Sequence, residues 1–232
     1  MTEEIRAGSF LSALTTSEQV ELRRLGGLRL LQRGDTLFHE GDPSDFVVLI
    51  LRGNVKVSSV GDSGAETLLA MRGAGDIVGE MSAVDGEPRS AQVSALEHVQ
   101  AQVISAREFA AFLEAHPRAT KVLLALVTAR LRDADHKRVE VRELDVLGRI
   151  ARRLLELSKT HGRPTPKGIT LDLSLSQQEL ADWVGASREA VAKALRLLRE
   201  RGAIDTRRRA ITILQPELLH RLLEPRASKT DL

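Results

Sequence analysis

One segment in the last third of the chain constrains the fold more than any other stretch, because it contains two helix starts separated by a glycine. Ser176 and Glu179 form the S-x-x-E pattern of a capping box, which begins a helix, and Gly185 interrupts that helix. Ser187 then begins a second helix whose apolar positions recur at helical spacing. A glycine between two short crossing helices permits a sharp turn, so the segment predicts a helix-turn-helix.

The residue types within this motif agree with that prediction. Ala181 is small enough to let the two helices approach, and the β-branched Val191 would lock the second helix. The start of the second helix, which we call the reader helix, would present polar side chains to base edges in the major groove. Arginine suits the acceptors of guanine, and glutamate suits the amino group of cytosine, while further arginines would contact phosphates. The predicted DNA-binding residues are Ser187, Arg188, Glu189, Lys193, Arg199, Arg207, Arg208 and Arg209.

The charge distribution favours a polyanionic partner for the second part of the chain only. Residues 1–144 carry 17 Lys/Arg against 21 Asp/Glu, whereas residues 145–232 carry 17 against 11. A hairpin-like tail with three arginines at its tip follows the reader helix and predicts a wing. We therefore predict a winged helix-turn-helix that binds double-stranded DNA. The alternative is an ordinary helical hairpin with solvated charges.

A longer helical pattern precedes this module, from Pro117 to about residue 143. Within it, residues recur at spacings of 3, 4, 3, 4 and 3 and form a heptad seam: Leu124, Val127, Leu131, Ala134, Arg138 and Val141. Such a seam predicts pairing with the same helix of a second copy, and hence a homodimer. The alternative is an amphipathic helix packed on its own domain. A dimer would place two reader helices on a pseudo-palindromic operator, with half-site centres about 34 Å apart.

The first part of the chain follows a β pattern. Between residues 28 and 104, short β-favouring runs alternate with Gly, Asp and Pro at roughly ten-residue spacing, which is typical of a small β-roll or barrel. Short helical patterns flank it at 10–25 and 105–116. Tight turns with positive φ are predicted at Gly34, Gly41, Gly53 and Gly75.

These patterns predict an α+β fold with three parts. They are an N-terminal β-roll sensor domain, 1–116, a dimerisation helix, 117–143, and a C-terminal winged helix-turn-helix domain, 144–232.

Composition excludes several function classes. The chain has no cysteine, so it cannot hold a disulfide framework or a cysteine-ligated cluster. Its six histidines are scattered without metal-ligand spacing, and we find no nucleophile–base pair, P-loop or paired carboxylates, so we predict neither a metal site nor an enzyme. No apolar run approaches the ~18 residues of a membrane span, and the N-terminus lacks a signal-peptide pattern. We expect a soluble, cytoplasmic protein.

In this order, a β-roll, a dimer helix and a winged helix-turn-helix resemble the Crp/Fnr family of bacterial transcription regulators. The resemblance covers nearly the whole chain, and it is carried by RGDTLFHEGDPSDFVVLILRGNVKV, GDIVGEMSAVDGEPRSAQV, LDVLGRIARRLLEL and LSQQELADWVGASREAVAKAL. It implies a dimeric regulator whose DNA affinity is controlled allosterically by a cyclic nucleotide bound in the roll. It also implies RNA polymerase as a further partner of the exposed loop predicted at 161–168, for which the alternative is a flexible surface loop without a partner.

The stretch VGEMSAVDGEPRSAQV, residues 78–93, contains the pairs Gly79–Glu80 and Arg89–Ser90. A phosphodiester held away from water requires a guanidinium fork and N–H donors, although a Glu80–Arg89 salt bridge that only holds a turn would use the same residues. The resemblance implies that Glu80 accepts from the ribose 2′-hydroxyl, that Arg89 binds the cyclic phosphate, and that Ser90 and nearby backbone N–H groups donate to it. The implied nucleotide-binding residues are Gly79, Glu80, Met81, Ser82, Arg89, Ser90, Ala134 and Asp135.

The chain departs from the cyclic-AMP pattern at one place. The best-known family members that bind cyclic AMP carry a Thr–Ser pair on the dimer helix, where this chain has Ala134 and Asp135. Ala134 has no hydrogen-bonding group, whereas Asp135 could accept from adenine or guanine, or be a surface acid. Arg130, His136 and Arg138 would serve pairing between helices or a more anionic ligand.

The ligand expected first is cyclic AMP, with cyclic GMP or a cyclic dinucleotide as alternatives. Another ligand, or DNA binding without any ligand, is a further alternative. A different class of function would be a cyclic-nucleotide-binding regulatory subunit that acts on a protein partner.

Overall fold

The computed structural model has two compact units, residues 1–132 and 133–232. It describes residues 5–6, 8–61, 64–171, 175–207 and 210–224. The predicted α+β class is confirmed, because a β-rich first unit is followed by a long helix and a helical second unit with a small sheet.

Within its described residues, the first unit forms two four-stranded antiparallel sheets, as the alternation of β-favouring runs and glycine turns predicts. The strands are β1 (Gly27–Leu31), β2 (Thr36–Phe38), β3 (Phe46–Arg52), β4 (Val55–Val60), β5 (Glu66–Arg72), β6 (Ile77–Val78), β7 (Gln92–Ala95) and β8 (Val99–Ser105). One sheet has the order β1-β8-β3-β6 and the other the order β2-β7-β4-β5.

Strand β3 is apolar at nearly every position because both of its faces are buried. Val48 and Ile50 belong to a core cluster that draws residues from both sheets. Val47 and Leu49, which alternate with them, belong to a second cluster that includes helical residues such as Phe109. The β-roll is thus buried on one side by its own second sheet and on the other by helices.

The predicted glycine turns are confirmed, since all four of those glycines have positive φ. Gly53 shows why no other residue fits: its φ is +79°, and a Cβ there would lie 2.4 Å from the carbonyl oxygen of His98.

The helices that begin in the first unit differ from the sequence patterns in two places. They are α1 (Thr16–Leu22), α2 (Glu80–Asp85), α3 (Ala106–Ala115) and α4 (Pro117–Glu143), with a 3₁₀ turn at Leu11–Ala13. The helix predicted at 10–25 is therefore split, because Thr15 and Glu18 form a capping box that starts α1 anew. Helix α2 was not predicted, since its six residues are too few for a periodic pattern.

Helix α4 has the bounds that the sequence predicts, and it uses two different faces. Ala119 and Leu123 are buried in the core of the first unit. On the heptad seam, Leu124 is 67% exposed, Leu131 is 62% exposed and Val141 is 62% exposed. The seam is therefore not the face that packs on the chain's own core. In the part of the chain that the structure describes, no helix is both long and apolar enough to cross a membrane.

The second unit contains the predicted helix-turn-helix and wing. Its elements are α5 (Val146–His161), β9 (Gly162–Thr165), β10 (Gly168–Leu171), α6 (Gln177–Val184), α7 (Arg188–Glu200), β11 (Ile204–Arg207), β12 (Ala210–Ile213) and α8 (Pro216–Arg221). The strands form a sheet in the order β11-β12-β10-β9. The loop predicted at 161–168 is mostly a hairpin instead, with a turn at Pro166–Lys167 between two paired strands.

A buried ion-pair cluster joins the last turns of α4 to α5 within the second unit. Arg153, which is 3% exposed, pairs with Glu140 and donates to Glu156 at 2.5 Å. Burial raises the pKa of Glu156, and the nearby charge of Arg153 opposes that change. The Arg153 guanidinium also lies 5.9 Å from the ring of Trp183 on α6.

Candidate nucleotide pocket and nucleic-acid interface

The candidate pocket is built around the turn between β6 and α2. Gly79 occupies this turn with φ +77°, in the left-handed region, and it is the N-cap residue of α2. A Cβ at this position would lie 2.3 Å from Nη1 of Arg89. The backbone conformation and the close approach of the arginine therefore both require glycine.

Arg89 is held inside the first unit with 2% of its surface exposed. Its Nη1 donates to the carbonyl of Gly79 at 3.0 Å, and its Nη2 donates to the carbonyl of Phe46 at 2.7 Å. The Cζ atom lies 4.1 Å from the ring centroid of Phe38 and 4.5 Å from that of Phe46. Two carbonyls and two aromatic faces thus fix the guanidinium.

The guanidinium of Arg89 retains an unused donor. Burial lowers its pKa, while the nearby carboxylates of Asp45, Asp42 and Glu80 act in the opposite direction. The Nε atom is buried and makes no hydrogen bond with any residue that the structure describes. A buried donor without a partner is rare in proteins, so this group can donate to an anionic oxygen that the described protein does not supply.

Glu80 is also buried, at 4% exposure, and its partner is Arg130 on α4. Arg130 donates from Nη1 to the Glu80 carboxylate and from Nη2 to the carbonyl of Ile77 at 2.8 Å. Among the described ion pairs, Glu80 is joined to Arg130 rather than to Arg89. Sequence reasoning considered Arg130 for helix pairing or a ligand and missed this contact. Its position one helical turn before Ala134 places it near the predicted ligand but does not identify Glu80 as its partner.

The other predicted pocket residues lie around the same turn. Ser90 is exposed, and its hydroxyl contacts the sulfur of Met81 at 3.9 Å. Met81 is exposed, whereas Ser82 is buried and donates to the carbonyl of Pro88 at 3.3 Å. The structure therefore brings Gly79, Glu80, Arg89 and Ser90 to one turn, which we call, together with Arg130, the sensor pocket.

The two residues predicted on the dimer helix are exposed in the single chain. Ala134 and Asp135 both lie on the part of α4 that belongs to the second unit. The Asp135 carboxylate lies 3.6 Å from Arg138, within an exposed i,i+3 pair. Their role at a ligand stays a prediction.

The predicted caps of the helix-turn-helix are confirmed. The Ser176 hydroxyl accepts from the backbone N–H of Glu179 at 3.1 Å, and the Glu179 carboxylate accepts from that of Ser176 at 2.6 Å. Gly185 has φ +61° at the end of α6, and the Ser187 hydroxyl accepts from Ala190 at 3.2 Å to start α7. Local sequence signals therefore set both helix starts and the turn between them.

Helix α7, the reader helix, separates its apolar and charged residues cleanly. Its buried residues are Val191, Ala194, Leu195 and Leu198. Arg188, Glu189 and Lys193 are exposed, as the prediction requires. The Glu189 carboxylate accepts a hydrogen bond from its own backbone N–H and makes a second one with the side chain of Ser187. Both lower the pKa of Glu189, the first more than the second, so this side chain remains an ionised acceptor.

The wing arginines are only partly described. Arg199 is exposed and donates to the hydroxyl of Thr206 on β11 at 2.9 Å, which ties the end of α7 to the wing. Arg207 is exposed at the end of β11, with Nε 3.7 Å from the Asp205 carboxylate. The predicted phosphate contacts Arg208 and Arg209 lie outside the described residues.

One residue of this interface was missed by sequence reasoning. Arg149 on α5 donates from Nε to the carbonyl of Val184 at 2.7 Å and from Nη2 to that of Gly185 at 3.3 Å. Its Nη1 donates to the carbonyl of Leu144 at 2.9 Å. One guanidinium thus satisfies carbonyls at the end of α6 that the helix leaves unpaired. The sequence alone shows only another arginine on an amphipathic helix.

Comparison with protein families gives two matches along the chain. Residues 28–116 match the cyclic nucleotide-binding domain, and residues 148–222 match the Crp-like helix-turn-helix domain. The first match covers the β-roll with the sensor pocket residues of the Gly79 turn, and the second covers the reader helix and wing.

Several transcription regulators are similar over most of their length. The CRP-like cAMP-activated global transcriptional regulator of Mycobacterium tuberculosis is 33% identical, over 82% of this chain and 84% of that protein. The global nitrogen regulator of Synechococcus elongatus is 32% identical, over 81% of this chain and 86% of that protein. The cAMP-activated global transcriptional regulator CRP of Haemophilus influenzae is 31% identical, over 77% and 80%.

The solved structures that are similar to this chain include further regulators of gene expression. The c-di-GMP-responsive global regulator CLP of Xanthomonas campestris has a TM-score of 0.75 at 25% identity, covering 86% of this chain and 99% of that one. A CRP-family transcriptional regulator of Thermus thermophilus has a TM-score of 0.71 at 26% identity, covering 84% and 96%.

Proposed function

Because the chain belongs to the Crp/Fnr family of transcription regulators, we propose that it is a homodimer whose DNA affinity is controlled by a cyclic nucleotide bound in the β-roll. It carries the two domains that this function requires. The relatives are named as transcription regulators, not as enzymes, in line with the lack of a catalytic constellation in the sequence.

The observation that carries this proposal is the buried guanidinium of Arg89 beside the Gly79 turn. It is pre-oriented by two carbonyls, and its Nε donor is left without a partner among the described residues. A singly charged cyclic phosphate matches such a fixed cation better than a neutral ligand does. We place the phosphate on Arg89, with the exposed hydroxyl of Ser90 as a second donor.

The ribose would contact Glu80. Arg130 already neutralises this carboxylate, which lowers the repulsion between the carboxylate and a nearby phosphate. A 2′-hydroxyl can then donate to the carboxylate while Arg130 remains bound. Backbone N–H groups at residues 79–81 and the buried hydroxyl of Ser82 complete the proposed binding turn.

The base is the less constrained part of the ligand. Cyclic AMP is the first candidate because two of the relatives are named as cAMP-activated. At Ala134 and Asp135, however, this chain offers a carboxylate acceptor rather than hydroxyl groups. Cyclic GMP and cyclic dinucleotides therefore remain candidates to be tested beside cyclic AMP.

Dimerisation would use the exposed heptad seam of α4. Pairing would cover Leu124, Leu131 and Val141 and remove their apolar surface from water. Two reader helices would then meet half-sites of a pseudo-palindromic operator about 34 Å apart. The ligand would shift the dimer between two arrangements through the break at Leu144–Asp145, with a coupling of about 1–3 kcal/mol.

Three further aspects belong to the proposal. The exposed turn of the β9–β10 hairpin, at Pro166–Lys167, is our candidate contact with RNA polymerase. The domain bounds 1–116, 117–143 and 144–232 and a cytoplasmic location complete the proposal.

The test uses calorimetry with cyclic AMP, cyclic GMP and cyclic dinucleotides, and gel-shift assays with operator-like DNA. Ser90→Ala is the cleanest variant, because the exposed hydroxyl has only a weak contact with a sulfur. We expect it to weaken nucleotide affinity by roughly tenfold, as for a hydrogen bond to a charged group, without a change in melting temperature. Arg89→Lys keeps the positive charge but loses the paired N–H donors of the guanidinium, so it should weaken nucleotide binding more than Ser90→Ala does.

Three results would contradict parts of the proposal. Unchanged nucleotide affinity in both variants would remove the phosphate assignment. Full-strength operator binding by ligand-free protein would show a regulator that does not need the nucleotide. A complete lack of sequence-selective DNA binding with every ligand would favour a regulatory subunit that acts on a protein partner.

A further inference from the structure

Methionine is the one sulfur-containing residue type in this chain, because the sequence has no cysteine. Of its three methionines, Met1 lies outside the described residues, and the other two are Met71 and Met81. Met71 is 6% exposed, whereas Met81, in the first turn of α2, is 47% exposed. An oxidant must touch a thioether sulfur to react with it, so the oxidation of methionine follows its exposure. Met81 is therefore the described methionine that an oxidant in solution reaches first.

The sulfur of Met81 lies beside the exposed hydroxyl of the sensor pocket. The Ser90 hydroxyl contacts Sδ of Met81 at 3.9 Å. The backbone next to Ser90 is fixed, because the N–H of Arg89 donates to the carbonyl of Asp42 at 2.9 Å and the carbonyl of Arg89 accepts from the N–H of Gly41 at 2.8 Å. A thioether sulfur is a weak acceptor. The Ser90 hydroxyl is thus held near Met81 and can turn from its sulfur to a stronger acceptor.

Oxidation of Met81 replaces this weak acceptor with a strong one. Hydrogen peroxide transfers one oxygen atom to Sδ: the O–O bond breaks, an S–O bond forms, the sulfur is oxidised by two electrons, and the peroxide is reduced to water. The product, methionine sulfoxide, is polar where the thioether is apolar. Because the sulfur lies 3.9 Å from the Ser90 hydroxyl, an oxygen added to it can approach that hydroxyl to the distance of an O–H···O hydrogen bond.

We propose that Met81 is a reversible oxidation site that controls nucleotide affinity, because its sulfoxide binds the Ser90 hydroxyl that otherwise donates to the phosphate of the ligand. In the reduced protein, the weak contact with sulfur leaves this hydroxyl available to the phosphate. In the oxidised protein, the ligand must compete with the sulfoxide oxygen for the same donor. The oxidant is a peroxide, and the response is a lower affinity for the nucleotide. This inference rests on the proposed function, in which Ser90 is the second donor to the phosphate.

The test compares nucleotide affinity before and after oxidation of the full-length protein. The protein is treated with hydrogen peroxide, the peroxide is removed, and mass spectrometry of proteolytic peptides locates the sulfoxide. We expect Met81 to be oxidised before Met71. Calorimetry uses whichever of cyclic AMP, cyclic GMP and cyclic di-GMP binds the untreated protein most tightly. The affinity should fall by roughly tenfold, as for a lost hydrogen bond to a charged group, and methionine sulfoxide reductases should restore it.

Each variant serves as its own reference, because the readout is the ratio of its affinities before and after peroxide. Met81→Leu removes the sulfur and should bring this ratio close to one, whereas Met71→Leu, the matched control, should keep the ratio of the unsubstituted protein. Ser90→Ala should also bring the ratio close to one although Met81 is still oxidised, since the hydroxyl that the sulfoxide binds is gone. Met81→Gln, which carries a permanent amide acceptor, should lower the affinity without peroxide.

The outcomes separate this inference from the function on which it rests. If oxidation of Met81 leaves the affinity unchanged, or if Met81→Leu remains sensitive to peroxide, the inference is wrong while the nucleotide function stands. A loss that is equally large in Ser90→Ala would show that the sulfoxide disturbs the fold rather than binding the hydroxyl, which also overturns it. If the untreated protein binds none of the nucleotides, the proposed function fails and this inference fails with it.

Discussion

The sensor pocket and the reader helix both depend on charged side chains, but the two regions hold them in opposite ways. In the pocket, Glu80 and Arg89 are buried, and they bond to groups 50 and 43 residues away in sequence. On the reader helix, Arg188, Glu189 and Lys193 are exposed. The charged side chains Glu80 and Arg89 are packed inside the first unit, whereas those of the reader helix lie on the surface of the second unit.

Because of this difference, we expect binding and folding stability to be coupled in the sensor pocket and to be separate on the reader helix. Removing one partner of a buried ion pair leaves an uncompensated charge in the interior. Removing an exposed charge costs little, because water replaces its interactions. Substitutions of the buried pocket charges Glu80 and Arg89 should therefore lower the free energy of unfolding together with ligand affinity, and substitutions on the reader helix should alter DNA binding alone.

The largest expected effect is that of Glu80→Ala, which strands the guanidinium of Arg130. Because the pair is largely buried, we expect a loss of about 3 kcal/mol in the free energy of unfolding. Urea denaturation followed by circular dichroism measures the whole chain, while fluorescence of Trp183, the only tryptophan in the sequence, reports the second unit. The circular dichroism transition should move to lower urea while the Trp183 transition stays in place.

The control removes both charges at once. Glu80→Gln with Arg130→Met should recover most of the lost stability, because a buried pair can often be replaced by neutral groups at little cost. If Glu80→Ala alone left the free energy of unfolding unchanged, the pocket charges would behave like surface charges. The expected contrast with the reader helix would then be wrong. A coincident shift of the Trp183 transition would show that the two units unfold together.

The same contrast explains what could be predicted from sequence. The helix-turn-helix was predictable because its signals are local: the capping box at Ser176, the turn at Gly185 and the cap at Ser187 lie within twelve consecutive residues. The heptad seam of α4 and the glycine turns of the roll are local in the same sense. For these parts, periodicity and turn chemistry suffice.

The arrangement of the pocket charges was not predictable, because it depends on tertiary contacts. Nothing near Glu80 in sequence indicates that Arg130 is its partner, or that Phe46 supplies a carbonyl to Arg89. Helix α2 was missed for a related reason, since its start depends on the left-handed Gly79 beside Arg89.

A smaller effect is expected for Arg149→Ala, which tests whether the second unit also contains a structural charge. This guanidinium donates to the carbonyls of Val184, Gly185 and Leu144. Its loss should cost about 2 kcal/mol, as for hydrogen bonds to a charged group at a partly exposed site. Here the Trp183 fluorescence transition should move. Arg149→Lys should recover only part of the lost free energy of unfolding, because one ammonium group cannot donate to all three carbonyls as the planar guanidinium does.

The smallest effect on folding is expected for Arg188→Ala, and it tests the reader side of the comparison most directly. Because the side chain is exposed at the start of α7, the free energy of unfolding should change by less than about 0.5 kcal/mol. Preference for the cognate base should fall by about 1–3 kcal/mol in gel-shift titrations against single-base variants of the operator.

Arg207→Ala is the matched substitution for Arg188→Ala, since it also removes an exposed arginine from the second unit. It should weaken binding to all sequences equally and reduce the salt slope by about one, as for a phosphate contact. If Arg188→Ala behaved in the same way as Arg207→Ala, Arg188 would contact the DNA phosphate backbone. Glu189 and Lys193 would then be the residues that distinguish the bases. If Arg188→Ala instead lowered the free energy of unfolding, the charges of the reader helix would contribute to folding. The distinction between buried charges in the sensor pocket and exposed charges on the reader helix would then be wrong for the reader helix.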